Sequence, residues 1–293
     1  MKTIDVVDLE KVANSHKNPF RTFEWREFAC GWGAAFVNIT ATYPIYKVIF
    51  RQMLHGSTIR TAFRQIKGEG FFYLYRGMLP PLAQRTFSLS LMFGVYDGVK
   101  TPMINELHWN PYFSKILAGL FAGTVEAVLM PFERVQTILA DAAYHEHYKN
   151  TPHAFRMIIA EHGFRELYRG IVPILWRNGP SNSLFFVMRE EVNDILPHQS
   201  SQLRHSIQEF IAGACIGAFL SSLFYPINVL KVAMQSSVGG PSQKMLVVAK
   251  QIYVERGCKI SNVYKGVSMN CTRAFFSWGI MNSAYEILKK LMF

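Results

Sequence analysis

Long apolar runs alternate with short basic stretches along the whole chain, and the alternation occurs three times. The runs at 28–50, 112–139 and 210–234 contain or end on proline-centred segments: Tyr43-Pro44-Ile45-Tyr46-Lys47, Met130-Pro131-Phe132-Glu133-Arg134 and Tyr225-Pro226-Ile227-Asn228-Val229. Three further runs, at 78–99, 171–192 and 267–288, each follow an aromatic-cation-glycine triplet: Tyr75-Arg76-Gly77, Tyr168-Arg169-Gly170 and Tyr264-Lys265-Gly266. Both sets recur at a period of roughly 90 residues, which marks an internal repeat. An apolar run of about 20 residues crosses a bilayer as a helix. The pattern therefore predicts an all-α membrane protein, with six transmembrane helices in three tandem hairpin repeats and pseudo-threefold symmetry. After an N-terminal tail at 1–23, the repeats occupy 24–108, 109–203 and 204–293 and form one membrane domain.

The odd-numbered runs carry closely spaced small residues, Gly31/Gly33/Ala35, Gly119/Gly123 and Gly213/Gly217, which let helix backbones approach closely in lipid. Proline inside a helix removes a hydrogen bond and crowds the preceding turn, so Pro44, Pro131 and Pro226 are expected to kink their helices. Three such kinks would draw the helix ends together on one side. The amphipathic stretches at 59–66 and 153–159 suit the membrane interface rather than a span.

Half of the residues are hydrophobic, 17% are charged and the net charge is +11. A basic balance can serve nucleic acid, but that requires a recognisable basic module, and none is present. Lys and Arg instead concentrate between paired runs: Arg51, Arg60, Arg64 and Lys67; Lys149, Arg156 and Arg165; Lys244, Lys250, Arg256 and Lys259. The links at 101–111 and 198–206 carry few. This alternation follows the positive-inside pattern and places three basic loops on one side, with both termini on the other. The four cysteines have no metal-ligand spacing, so no metal is expected and they read as reduced thiols. Residues 1–23 lack the apolar core of a secretory signal. No nucleophile–base pair or glycine-rich phosphate loop follows a strand, which argues against an enzyme.

Arg85, Arg177 and Arg273 lie seven or eight residues beyond Gly77, Gly170 and Gly266, at one depth of the even-numbered helices. Ionisable groups inside a bilayer face a water-filled cavity or a partner. Three like charges at one level suit a bound anion, and the guanidinium fork suits phosphate. The alternative is that each pairs with a helical carboxylate or extends outward. Glu126 occupies a position held by Ile39 and Ser221 in the other repeats, so it breaks the symmetry. It is a candidate specificity residue, or else a partner of Arg177 or Arg85. Asn178, Ser88, Ser181 and Ser277 could bond hydroxyls or amides near this layer. Trp176, Trp278 and Phe276 could stack on a base or simply pack.

The proline segments and triplets together resemble the signature of the mitochondrial carrier family, over essentially the whole chain from Trp25. The strings Phe50-Arg51-Gln52, Glu133-Arg134-Val135-Gln136-Thr137, Val172-Pro173-Ile174-Leu175-Trp176-Arg177-Asn178-Gly179, Tyr225-Pro226-Ile227-Asn228-Val229 and Ser277-Trp278-Gly279-Ile280 are similar to the family's NAD+-carrying subgroup. The resemblance implies that Arg85, Arg177 and Arg273 are substrate contacts, with Asn178 and Glu126 beside them. It implies a matrix gate in which Tyr46, Glu133 and Asn228 stand at the acid positions and Ile49, Gln136 and Lys231 at the cation positions. Only Glu133 and Lys231 can form an ion pair there; Tyr46 and Gln136 can share a hydrogen bond. On the cytosolic side it implies a gate of Asp97, Lys100, Glu190, Asn193, Glu286 and Lys289, with Glu190–Lys289 and Glu286–Lys100 as ion pairs. The sparse matrix gate leads to the expectation of a resting state closed on the cytosolic side. The triplet residues Arg76, Gly77, Arg169, Gly170, Lys265 and Gly266 correspond to cardiolipin sites.

The function implied is import of NAD+ into the matrix by alternating access, through a monomeric inner-membrane carrier with its termini in the intermembrane space. NAD+ is then cargo, cardiolipin a structural lipid, and no cofactor is needed. Carriage of coenzyme A or an adenine nucleotide, or a transport-inactive scaffold, are the alternatives.

Overall fold

The computed structural model describes residues 25–195 and 202–292, and among them the regular structure is helical. The tail at 1–23 lies outside the described residues. The first repeat comprises α1 (Trp25–His55), the surface helix α2 (Ile59–Glu69) and α3 (Leu79–Asn105). The second comprises α4 (Pro111–Glu126), α5 (Met130–Ala140), the surface helix α6 (Thr151–His162) and α7 (Ile171–Ile195). The third comprises α8 (Gln202–Leu223), α9 (Tyr225–Ser236), the surface helix α10 (Met245–Glu255) and α11 (Val267–Met292).

Local chemistry sets several starts. Asn110 caps α4 by accepting from the Tyr112 N–H, and Pro111 follows where no N–H is needed. Thr58 and Asn150 cap α2 and α6 in the same way. Gly77, Gly170 and Gly266 all have positive φ, at 84°, 88° and 103°, where a side chain would be strained. Each triplet glycine therefore turns the chain into the following even-numbered helix.

The long helices pack in a closed ring. α1 lies against α3, α3 against α4, α4 against α7, α7 against α8, α8 against α11, and α11 against α1. The α4–α7 approach depends on missing side chains: a Cβ at Gly119 would come within 2.9 Å of the Ser183 amide nitrogen, and one at Gly123 within 2.6 Å of the Gly179 nitrogen. Gly31, by contrast, faces open space, so not every small residue marks a close contact.

The three prolines behave unequally. The chain leaves α-geometry before Pro131, through a 3-10 turn at Ala127–Leu129. It bends by 62° between α8 and α9, just before Pro226. At Pro44, α1 runs on unbroken, which corrects the expectation of three equivalent kinks. In the turn before Pro44, Thr42 Oγ1 donates to the Asn38 carbonyl at 2.8 Å, while the carbonyl that the proline leaves without its helical N–H is that of Thr40.

Beyond the prolines the odd-numbered helices converge, α9 touching both α1 and α5. Ile49, Phe50 and Met53 meet Ala140, Tyr225, Val229 and Val232 in a buried apolar plug, with Val248 and Ile252 of α10 beneath it. The basic-loop end is closed. Closure here rests on the plug rather than on a full set of ion pairs.

Among the described residues one stretch, Pro111–Ala140, is apolar enough to cross a membrane by length and composition, and the bent α8–α9 pair qualifies if counted as one span. α3, α7 and α11 are long enough but carry Arg85, Asp97 and Lys100, Arg177, Arg189 and Glu190, and Arg273 along their lengths.

Candidate functional site

The three arginines sit above the plug on α3, α7 and α11. Arg85 is solvent-exposed although it lies mid-helix, within electrostatic reach of Glu126, and Arg273 feels both Arg85 and Tyr46. Arg273 donates to Asn270 Oδ1 at 3.4 Å, while its Nε has no protein partner. Arg177 Nε donates to Asn178 Oδ1 at 2.7 Å, one Nη donates to Asn228 Oδ1 at 3.2 Å, and the other lies 3.7 Å from Glu133. Among the described residues Arg85 and Arg273 have no carboxylate within 4 Å and Arg177 has Glu133 at 3.7 Å, so the layer retains capacity for an anion.

Glu126 follows neither simple expectation. Among the described residues no cation pairs with it within 4 Å; its partners are neutral donors. Ser88 Oγ donates to one oxygen, and Asn178 and Asn182 donate to the other at 3.4 and 3.3 Å. Three donors stabilise a carboxylate without cancelling its charge. Ser88 and Asn178 had been singled out in the sequence for a different reason, and Asn182 had not.

At the basic-loop end, Lys231 Nζ lies 2.8 Å from Glu133 Oε2 and Gln84 Nε2 donates to Oε1 at 3.0 Å. Tyr46 packs on Tyr43 and Phe50, with ring centres 5.4 and 6.3 Å apart, and shows no bond to Gln136. Asn228 serves Arg177 rather than Ile49, which is buried in the plug.

The opposite end differs from the predicted pairing. Glu190 collects Lys100 at 2.5 Å, Lys115 at 2.6 Å and the Tyr96 hydroxyl at 2.9 Å. Lys100 pairs with Glu190 because α3 and α7 approach across α4 through stacked Tyr96 and Phe186. Lys289 is exposed over the Tyr285 ring and is not paired with Glu190. Asp97 is exposed, and the side chains of Asn193, Glu286 and Trp278 lie outside those described. Trp176 and Phe276 are exposed, and Phe276 borders an outer groove with Val37 and Ile287.

Two triplet cations are engaged with main-chain carbonyls. Arg76 donates to the carbonyls of Tyr144, His145 and Tyr148. Arg169 donates to those of Gly239, Gly240 and Pro241. Lys265 stays exposed. The glycines serve packing: a Cβ at Gly77 would lie 3.1 Å from Leu139 Cβ, one at Gly170 3.1 Å from Gln235 Cγ, and one at Gly266 3.1 Å from Gln52 Cβ.

A family model for mitochondrial carrier protein matches residues 21–107, 108–200 and 203–293, one match per repeat. The chain belongs to that family. It is 44% identical over 270 residues to the mouse mitochondrial nicotinamide adenine dinucleotide transporter SLC25A51, covering 92% of this chain and 90% of that protein. It is 42% identical to the human mitochondrial nicotinamide adenine dinucleotide transporter SLC25A52, with the same coverage of each chain. Human solute carrier family 25 member 53 is 31% identical over 92% of this carrier and 89% of its own length. The named functions among these mitochondrial carriers are transport, not catalysis.

Proposed function

We propose that this carrier imports NAD+ across the inner mitochondrial membrane by alternating access. The observation that carries the reading is an arginine layer with spare capacity beside a carboxylate held by neutral donors. A dinucleotide presents a pyrophosphate to Arg85, Arg177 and Arg273, and a cationic nicotinamide ring to Glu126. The similarity to two dinucleotide transporters supports that cargo over other nucleotides.

Arg177 connects cargo to gate. Its guanidinium reaches both Asn228 and Glu133, so a phosphate oxygen that claims it withdraws support from the closed end. Binding energy is then spent on weakening the Glu133–Lys231 closure, which is what alternating access requires.

Six helical crossings, counting α4–α5 and α8–α9 as one each, place the basic loops in the matrix and the termini in the intermembrane space. The carrier works as a monomer and needs no cofactor. Anionic lipid, cardiolipin included, meets backbone N–H groups at the helix starts beside Gly77, Gly170 and Gly266, together with the exposed Lys265.

Uptake of radiolabelled NAD+ into liposomes holding the purified protein tests the proposal. Saturable uptake that is lost in Arg177→Ala and absent from empty vesicles is the expected result. No uptake, with stabilisation by a different nucleotide, replaces the cargo; no response to any anion leaves a scaffold.

A further inference from the structure

The basic-loop end contains two buried cations that the gate does not use, Lys47 at 1% exposure and Arg134 at 0%. Each stands three residues after its proline and reaches the carbonyl nine residues after the next repeat's proline. Lys47 Nζ donates to the Ala140 carbonyl at 3.2 Å, and Arg134 donates to the Gln235 carbonyl and to that of Ser237 at 2.8 Å. Both acceptors belong to the last turn of an odd-numbered helix, where carbonyls lack partners within the helix. Cations are favoured there by the helix dipole as well.

By the same count the third repeat should send residue 229 to the Met53 carbonyl at the end of α1. Residue 229 is valine, buried in the plug, and cannot donate. The bond is made instead by Arg256, which follows α10 directly and donates to the Met53 carbonyl while also holding the Asn262 and Val263 carbonyls. A different residue on a different element thus supplies the missing third contact.

The three boundaries between repeats are unequal as a result. The first-to-second boundary has Lys47, Arg76 and Gln84 crossing it. The second-to-third has Arg134, Arg169, the Glu133–Lys231 pair and Arg177–Asn228. The third-to-first boundary at this end has Arg256 as its one charged tie among the described residues. Its triplet cation, Lys265, does not reach across, and Asn228 and Ile49 form no polar contact there.

We infer that Arg256 is the charged latch of the third-to-first boundary, beside the apolar plug that packs across it, and that this boundary, with one charged tie where the others have several, opens first when the basic-loop end opens. The opening is the matrix-side step of the transport cycle proposed above, on which the inference rests for its meaning.

Hydrogen exchange read by mass spectrometry, on the full chain in lipid nanodiscs without cargo, tests it. Peptides covering 53–58, 141–148 and 236–241 report the three boundaries. In the unmodified protein, 53–58 exchanges fastest. Arg256→Gln speeds exchange at 53–58 by about tenfold, the effect of losing one charge-assisted hydrogen bond, and changes the other two peptides little. Arg169→Gln has the smaller effect on 236–241, because Arg134 still holds that boundary. Arg256→Lys keeps one donor and gives an intermediate rate, so the test survives if the Gln variant does not fold. Equal exchange at all three boundaries, or equal loosening of all three in the Arg256 variants, overturns the inference. Because no cargo is added, this failure is separate from a failure of NAD+ uptake.

Discussion

Lys231 Nζ meets Glu133 Oε2 at 2.8 Å across the second and third repeats, with both side chains 13% exposed. Glu133 keeps Gln84 and a distant Arg177 when this lysine is removed. Lys231→Met should therefore destabilise the carrier by on the order of 1–3 kcal/mol, between the limits for exposed and for buried pairs. Thermal unfolding in detergent measures it. Adding Glu133→Gln to Lys231→Met should cost less than the two single changes summed, because they share one interaction.

Glu126→Gln keeps the shape of the site and removes its charge. NAD+ uptake should fall while NADH uptake is less affected, since the reduced ring carries no positive charge to attract. The ratio of initial uptake rates for the two dinucleotides is the measurement. An unchanged ratio removes Glu126 from cargo selection.

Gly123→Ala should be disruptive out of proportion to one methyl group. The new carbon would press on the Gly179 backbone nitrogen at 2.6 Å, and backbone cannot rotate away as a side chain can. Overpacking of this kind costs about 1–3 kcal/mol. Gly31→Ala, in open space, serves as the control and should leave the melting temperature within a degree or so of the parent.

His145, in the loop after α5, stacks on Tyr73 with ring centres 4.4 Å apart. Burial first, and then the positive charge of Arg76, lower its pKa from 6.5 to about 4. The folded state therefore binds fewer protons at this site than the unfolded chain does. The stability from this group is complete above pH 6.5 and is lost as pH falls from there through about 4. The melting temperature of the parent should fall relative to that of His145→Phe, which keeps an aromatic ring on Tyr73 and has no proton to take up, as pH drops across that window.

The repeat, the six long helical segments and the common depth of the three arginines were legible because each follows from spacing. The Glu133–Lys231 contact was legible too, since both residues occupy repeat-equivalent motif positions on neighbouring odd-numbered helices. The destinations of Lys47, Arg134 and Arg76 were not legible. Their partners are main-chain carbonyls, which every residue possesses and no side-chain pattern announces. Lys115 was missed because it has no counterpart in the repeat; only the approach of α4 to α7 brings it to Glu190. Pro44 misled because its sequence matches its siblings, while the preceding turn of α1 stays helical where the others open.

Arg85 has an accessible side chain at mid-helix, and that decides what kind of grip the central site can have. A hydrated cation gives up solvent to take a phosphate oxygen, so the net gain is modest compared with that of a dry pocket. An enzyme inhibitor site would be poorly served by this, but a shuttle depends on it. Tight holding would trap the molecule midway, whereas a shallow well lets the dinucleotide leave on the far side as readily as it entered, and turnover gains what affinity gives up.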